Sequence, residues 1–267
     1  MRRIQLPFLR QNKAVSTAIS ALIITAVTAT LVMAVAMYAY HVLEQQRGAA
    51  EFEVAKKSIL AFDDALQDAA WKLGASRAAR FNVDFGSLVL IPDAMNLTVI
   101  ATIGGSNYTL GSVLTGSVRY STSNRYISFG ENYKSYVLGD SDLVVTDSTE
   151  SLGRALVEQN PALVDITLSY RVRAMRTVYL NVNGTWVNYV SIWLIRVVTS
   201  SSTHLHDFDL KAKSLSIQTN TIDPGVSVTS NCIISVESSS ESGSATVSLD
   251  SGKVIFNVRV AEVKVSV

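Results

Sequence analysis

The sequence predicts an α+β protein in which one long N-terminal α-helix is followed by an antiparallel β-sandwich head domain. Three observations carry that reading. Residues 14–40 form a run of 27 without a formal charge. Apolar residues from Phe52 to Leu73 then recur at alternating spacings of three and four, the period of one helix face. From Phe81 onward that period gives way to short runs of alternating polarity, separated by Gly, Asn, Asp and Ser.

The N-terminal element begins with Arg2, Arg3, Arg10 and Lys13, and the first carboxylate of the chain is Glu44. The uncharged run between them exceeds the roughly 20 residues that a helix needs to cross a bilayer core. Basic residues before such a span, and none directly after it, place the N-terminus in the cytoplasm and the rest outside. No Gly or Pro interrupts residues 14–47. Three fates fit this segment: a secretory signal cut after Ala34-Val35-Ala36, an uncleaved signal anchor, or a cut ahead of the apolar run. The first needs a shorter apolar region than this one.

The junction Asn12-Lys13-Ala14-Val15-Ser16-Thr17-Ala18-Ile19 resembles the class III signal peptide of archaeal type IV pilins and archaellins. That resemblance covers about residues 1–80 and implies several things. Residues 1–14 would be a leader, with Lys13 two positions before the cut, Ala14 next to it and Val15 the new N-terminus. A membrane-bound prepilin peptidase would cut on the cytoplasmic side, and an assembly ATPase with its membrane platform would build subunits into a filament. Where bacterial pilins carry Glu at the fifth mature position this chain has Ile19, which argues against a bacterial major pilin.

Residues 15–80 are expected to be helical, apolar over 15–43 and amphipathic over 44–80, on the order of 100 Å at about 1.5 Å per residue. Ala14, Ala18, Ala21, Thr25 and Thr28 recur at spacings of four and three. Such a face of small side chains lets helices approach closely in an apolar medium. The hydroxyls of Ser16, Thr17, Ser20, Thr25, Thr28 and Thr30 can bond carbonyls of the preceding turn. In the amphipathic half, Phe52, Ala55, Ile59, Phe62, Leu66, Ala69 and Leu73 form a narrow stripe. The other faces carry Glu51, Glu53, Lys56, Lys57, Asp63, Asp64, Asp68 and Lys72. The stripe must be covered, either by the chain's own β-domain or by a second helix. Arg77 and Arg80 suit a helix C-terminus.

Residues 81–267 read as a β-rich extracellular domain. Strands are expected over 88–91, 97–103, 117–121, 125–129, 134–138, 164–174, 177–182, 186–198, 207–217, 226–236 and 253–267. Asn183-Gly184 is a two-residue hairpin signal. In the last run the apolar phase changes between Val260 and Ala261, which predicts a bulge. Residues 151–158 read as a short helix or loop, and 238–244 as a polar loop. One domain is expected, with a break near 147–161 if there are two.

Chemical motifs are sparse, and the expectation is a non-enzymatic protein without a cofactor. His204 and His206 are two apart and would share a strand face, but a metal site needs a third ligand. Cys232 is the one cysteine, so no intrachain disulfide forms. Asp63, Asp64 and Asp68 read as a solvated helix face, and Gly104-Gly105 as a turn. Asn96, Asn107 and Asn183 each open an Asn-X-Thr acceptor for N-glycosylation. Lys plus Arg is 23 and Asp plus Glu 22, so nothing in the charge balance favours nucleic acid. The tyrosines of the β half suit interfaces and are compatible with surface adhesion. The implied protein is a self-assembling filament subunit, membrane-inserted as a precursor. The rival reading is a signal-anchored surface binding protein or a pseudopilin-like component of a secretion or uptake system.

Overall fold

The computed structural model describes residues 11–239 and 241–267, apart from the side chains of residues 11–16. Most of the expected leader lies outside the described residues. One helix, α1, spans Gln11–Ala70. Among the described residues thirteen strands follow: β1 Ser76–Ile103, β2 Ser106–Ser123, β3 Lys134–Leu138, β4 Val144–Val145, β5 Gly153–Gln159, β6 Leu163–Tyr170 and β7 Val172–Val182. The rest are β8 Thr185–Val198, β9 Ser202–Ile222, β10 Ser227–Val228, β11 Cys232–Glu237, β12 Ser242–Val247 and β13 Gly252–Ser266. The chain divides into two compact units, one up to Arg47 and one from Gly48 to Val267.

α1 ends ten residues earlier than its sequence suggests. Lys72 N–H donates to Ala69 O, Gly74 turns the chain at φ 76°, and Ser214 of β9 then receives it, Ser214 N–H donating to Ala75 O at 2.9 Å. Residues 76–80, read as helix from their Ala and Arg content, instead pair antiparallel with β9 from Lys213 to Asp209. Tertiary pairing outweighs a weak local propensity here.

The strands form a single hydrogen-bonded sheet in the order β3-β5-β6-β2-β1-β9-β13-β8-β7-β4, with β10 on β13, β11 on β1 and β12 on β11. The sheet is mixed. β8 and β13 run parallel from Val187↔Lys253 to Val198↔Lys264, and β4 runs parallel to β7. This corrects the expectation of a wholly antiparallel sandwich. Alternation along one strand says which residues face inward but not which distant strand lies beside it.

Two cores form along this sheet, and single strands serve both. β13 gives Val254, Phe256 and Val258 to one core and Ala261, Val263 and Val265 to the other. The register shift between Glu262 and Val263 against β9 accompanies this change of phase. β8 does the same, with Ile192 and Leu194 in one core and Ile195 and Val197 in the other. Arg171 separates β6 from β7, so Tyr170 enters the first core and Val172 the second. Where the sheet folds over, β2 touches β8: the buried Thr115 hydroxyl donates to Ile195 O and accepts from Val197 N–H at 3.0 Å. A Cβ at Gly116 would lie 2.8 Å from Ile91 O, so the crossing requires glycine.

Other elements differ from their sequence reading for the same reason. Residues 153–159 are an interior strand, one face wholly buried and the other partly so, and not a helix or loop. Residues 125–129 lie outside any strand, and β12 begins inside the expected polar loop. The runs 88–91 and 97–103 belong to one strand, interrupted where the β1–β2 register shifts between Ile91 and Met95. The Asn183-Gly184 turn is formed, with φ of 53° and 86°, as a two-residue hairpin requires.

Candidate functional site: the apolar span and the helix seam

α1 contains a segment long and apolar enough to cross a membrane. From residue 17 to 40 every side chain is exposed, including Leu22, Met33 and Tyr38. The hydroxyls of Thr25, Thr28 and Thr30 donate to Ala21 O, Ile24 O and Ala26 O at 2.8–2.9 Å. These polar groups are therefore satisfied within the helix, which lowers the penalty of placing them in an apolar medium. Ala18, Ala21, Thr25 and Thr28 share the exposed surface of this segment. Lys13, Ala14 and Val15 fall on α1, their side chains outside the described residues.

The seam is built by the stretch of α1 from Gly48 onward. Phe52, Ala55, Ile59, Phe62 and Leu66 pack into the first core against β1, β2, β5 and β6, and Ala69 is buried with them. Leu73, the last member of the predicted stripe, is 70% exposed, because the helix has already ended. Phe52 also meets the rings of Tyr120 and Phe129 at centroid distances of 6.3 and 5.7 Å. Gly48 admits the Tyr126 ring, which a Cβ would meet at 2.6 Å.

Two carboxylates on this stretch turn inward, although their sequence pattern places them in solvent. Glu51 accepts four hydrogen bonds. Asp84 and Phe85 N–H donate to Oε2 at 2.8 Å, Gly86 N–H donates to Oε1 at 3.0 Å, and the Tyr120 hydroxyl donates to Oε1 at 2.9 Å. The three amides belong to the part of β1 where its pairing to β9 is interrupted between Val83 and Leu88. Glu51 thus satisfies backbone donors that the sheet leaves free. Burial, reinforced by the Glu51 charge, pushes the Tyr120 hydroxyl well above the usual tyrosine range. Gly86 is required, since a Cβ there would lie 2.5 Å from the Tyr120 ring.

Asp63 is 1% exposed. Its Oδ2 accepts from Gln67 Nε2 at 2.6 Å and from Ser151 Oγ at 3.3 Å, while Gln67 Nε2 also donates to Ser151 Oγ at 2.8 Å. Gly153 N–H donates to the same Ser151 Oγ at 2.9 Å. Burial pushes the carboxyl up to about 6, partly offset by the polar groups of Gln67, Tyr170 and Ser151 around it, and the Asp64 charge raises it further. Beside this cluster, Arg171 is fully enclosed. Its Nη1 meets Asp140 Oδ1 at 2.7 Å and its Nη2 donates to Ser151 O at 2.7 Å.

The remaining predicted residues are dispersed. Asn96, Asn107 and Asn183 are all exposed, the first two on neighbouring strands. Asn96 Oδ1 accepts from Ser112 Oγ and Asn107 Oδ1 from Thr102 Oγ1. His204 bonds Ser202 Oγ, while His206 sits at φ 63° with Nδ1 3.5 Å from Asp84 Oδ1. Among the described residues no three His, Cys, Asp or Glu side chains converge as a metal-holding group. Cys232 is buried in the second core, which pushes its thiol up to about 12. A groove of about 520 Å³ runs between β1, β2, β8, β9 and β13, lined by Asn96, Ser112, Arg196, Gln218 and Glu262. Apart from the Asn96 acceptor motif the sequence does not mark it, because its residues come from strands paired over long separations.

Comparison with protein-family models, with curated proteins and with solved structures gives no match.

Proposed function

We propose that the chain is a structural subunit of an extracellular, archaeal type IV pilus-like filament, assembled through its apolar N-terminal helix after cleavage between Ala14 and Val15. The observation that carries this reading is the exposure of apolar side chains along residues 17–40 of a helix whose next turns are locked into a β-domain. Such a surface needs lipid before assembly and neighbouring copies afterwards. Apolar burial contributes roughly 25 cal/mol per Å², so even partial coverage holds subunits together. The Ala18, Ala21, Thr25 and Thr28 face supplies close helix approach. The β-domain, with Asn96, Asn107 and Asn183 exposed, forms the outer surface, where it is N-glycosylated and contacts the surface to which the cell adheres. Partners are other copies, the prepilin peptidase and the assembly machinery.

The variants Lys13→Asp and Ala14→Asp test this reading. The expected result is accumulation of full-length precursor in the membrane with loss of fibres from sheared cells. Unchanged fibres in both variants contradict it. A wild-type chain that stays full-length and membrane-bound, with no fibres, supports a signal-anchored binding protein instead.

A further inference from the structure

We infer that Asp63 is a proton-operated latch, holding the last two turns of α1 on β5 and β6 more tightly when its carboxyl is protonated. The geometry comes first. The carboxyl is enclosed between Gly153 at the start of β5, Tyr170 at the end of β6, Ser151 just ahead of β5, and Gln67 one turn along its own helix. A Cβ at Gly153 would collide with it, so the sheet is shaped around this group.

Its hydrogen bonding is lopsided. Oδ2 receives Gln67 and Ser151, whereas Oδ1 and the Tyr170 hydroxyl, both fully buried, have no hydrogen-bond partner among the described residues. An ionised carboxylate has only the Tyr170 hydroxyl at hand as a donor for Oδ1, and its main cost is the burial of the charge itself, which is expensive. A protonated one carries no charge and can donate its own O–H to the neighbouring tyrosine oxygen.

The surrounding charges do not relieve it. On α1 the nearest titratable neighbour is Asp64, of the same sign. On the sheet side Arg171 bonds the carbonyl of Ser151, the residue whose hydroxyl meets Asp63. Its guanidinium is already taken by Asp140 and the Ser151 carbonyl, with Glu150 at 3.9 Å. Tyr170 stays protonated, its hydroxyl pushed well up by burial and by the Asp63 charge.

The sign follows from linkage. The folded carboxyl titrates at about 6, above its ordinary value of 3.8. Its contribution to docking is therefore complete below about pH 4 and is lost as the pH rises through 6. A carboxyl raised this far favours the closed, protonated state by about a hundredfold in the opening equilibrium. This latch acts in the β-containing unit alone and is independent of whether the protein polymerises.

Hydrogen exchange on the full chain in detergent tests the proposal, read on residues 60–70 and 153–159 and corrected for intrinsic exchange. In the wild type, opening of these segments is expected to rise ten- to hundredfold between pH 4.5 and 7.5, relative to β11 and β12. Asp63→Asn should remove the pH dependence, and Asp64→Asn, which alters the exposed neighbour, should keep it. Wild-type protection of the two segments that is unchanged across this range overturns the latch, as does a pH dependence that survives in Asp63→Asn.

Discussion

Gly153 and Asp63 occupy one space: the backbone of the first β5 residue lies where any side chain would overlap the carboxylate of the helix. The fit links a glycine and an acid 90 residues apart, and it fixes where the end of α1 sits on the sheet. Gly153→Ala must shift the helix, the strand or the acid. A loss of about 1–3 kcal/mol is expected, as for other overpacked cores. Gly111→Ala, at a position with open space around it, is expected to stay within about 0.5 kcal/mol. Denaturant titration of both variants decides the matter, and equal stabilities would remove the steric argument.

Glu51 supplies the second fixed point of the seam. Glu51→Ala leaves the amides of Asp84, Phe85 and Gly86 and the Tyr120 hydroxyl without their acceptor. Because the site is only partly buried, the expected loss is about 2–3 kcal/mol rather than the full sum. Tyr120→Phe removes one charge-assisted bond, with a loss of about 1.5 kcal/mol. The double variant should lose less than the two together, since they share one interaction. Glu53→Ala, which breaks an exposed pair with Lys56, is expected to change stability by no more than about 0.5 kcal/mol.

Cys232 reports on the second core independently of the helix. Its thiol is buried and pushed up to about 12, so almost no thiolate forms at pH 8 in the folded chain. Labelling by a thiol reagent should be slow in the native protein and at least tenfold faster in denaturant. Latch opening at residues 60–70 should not accelerate it. Rapid native labelling at neutral pH would mean that the second core opens readily.

Much of the architecture is legible in the sequence because it depends on local pattern. The span from residue 14 to 40, the Asn183-Gly184 turn and the phase change after Val260 each follow from chemistry read along a few residues. The stripe from Phe52 to Ala69 is legible for the same reason. What escapes is set by distant partners. Residues 153–159 carry Gly, Arg, Glu and Gln and do not alternate cleanly, yet they lie between β3 and β6 with Gly153, Ala155, Val157 and Gln159 buried along one face. The sequence pattern places Asp63 in solvent because neighbouring helix positions are about 100° apart and the apolar stripe is complete without it. The one hint is Gln67, four residues on, which makes an i,i+4 partner. The parallel pairing of β8 with β13 has no local signal at all.

The central claim is that the apolar half of α1 stays on the mature chain and joins copies to one another. N-terminal sequencing and intact mass of the protein in fibres sheared from cells test it most directly. The account predicts fibres built from this chain, beginning at Val15 and retaining residues 15–43. A mature chain that has lost this segment, or one that keeps it and remains a dispersed monomer without detergent, would contradict the account.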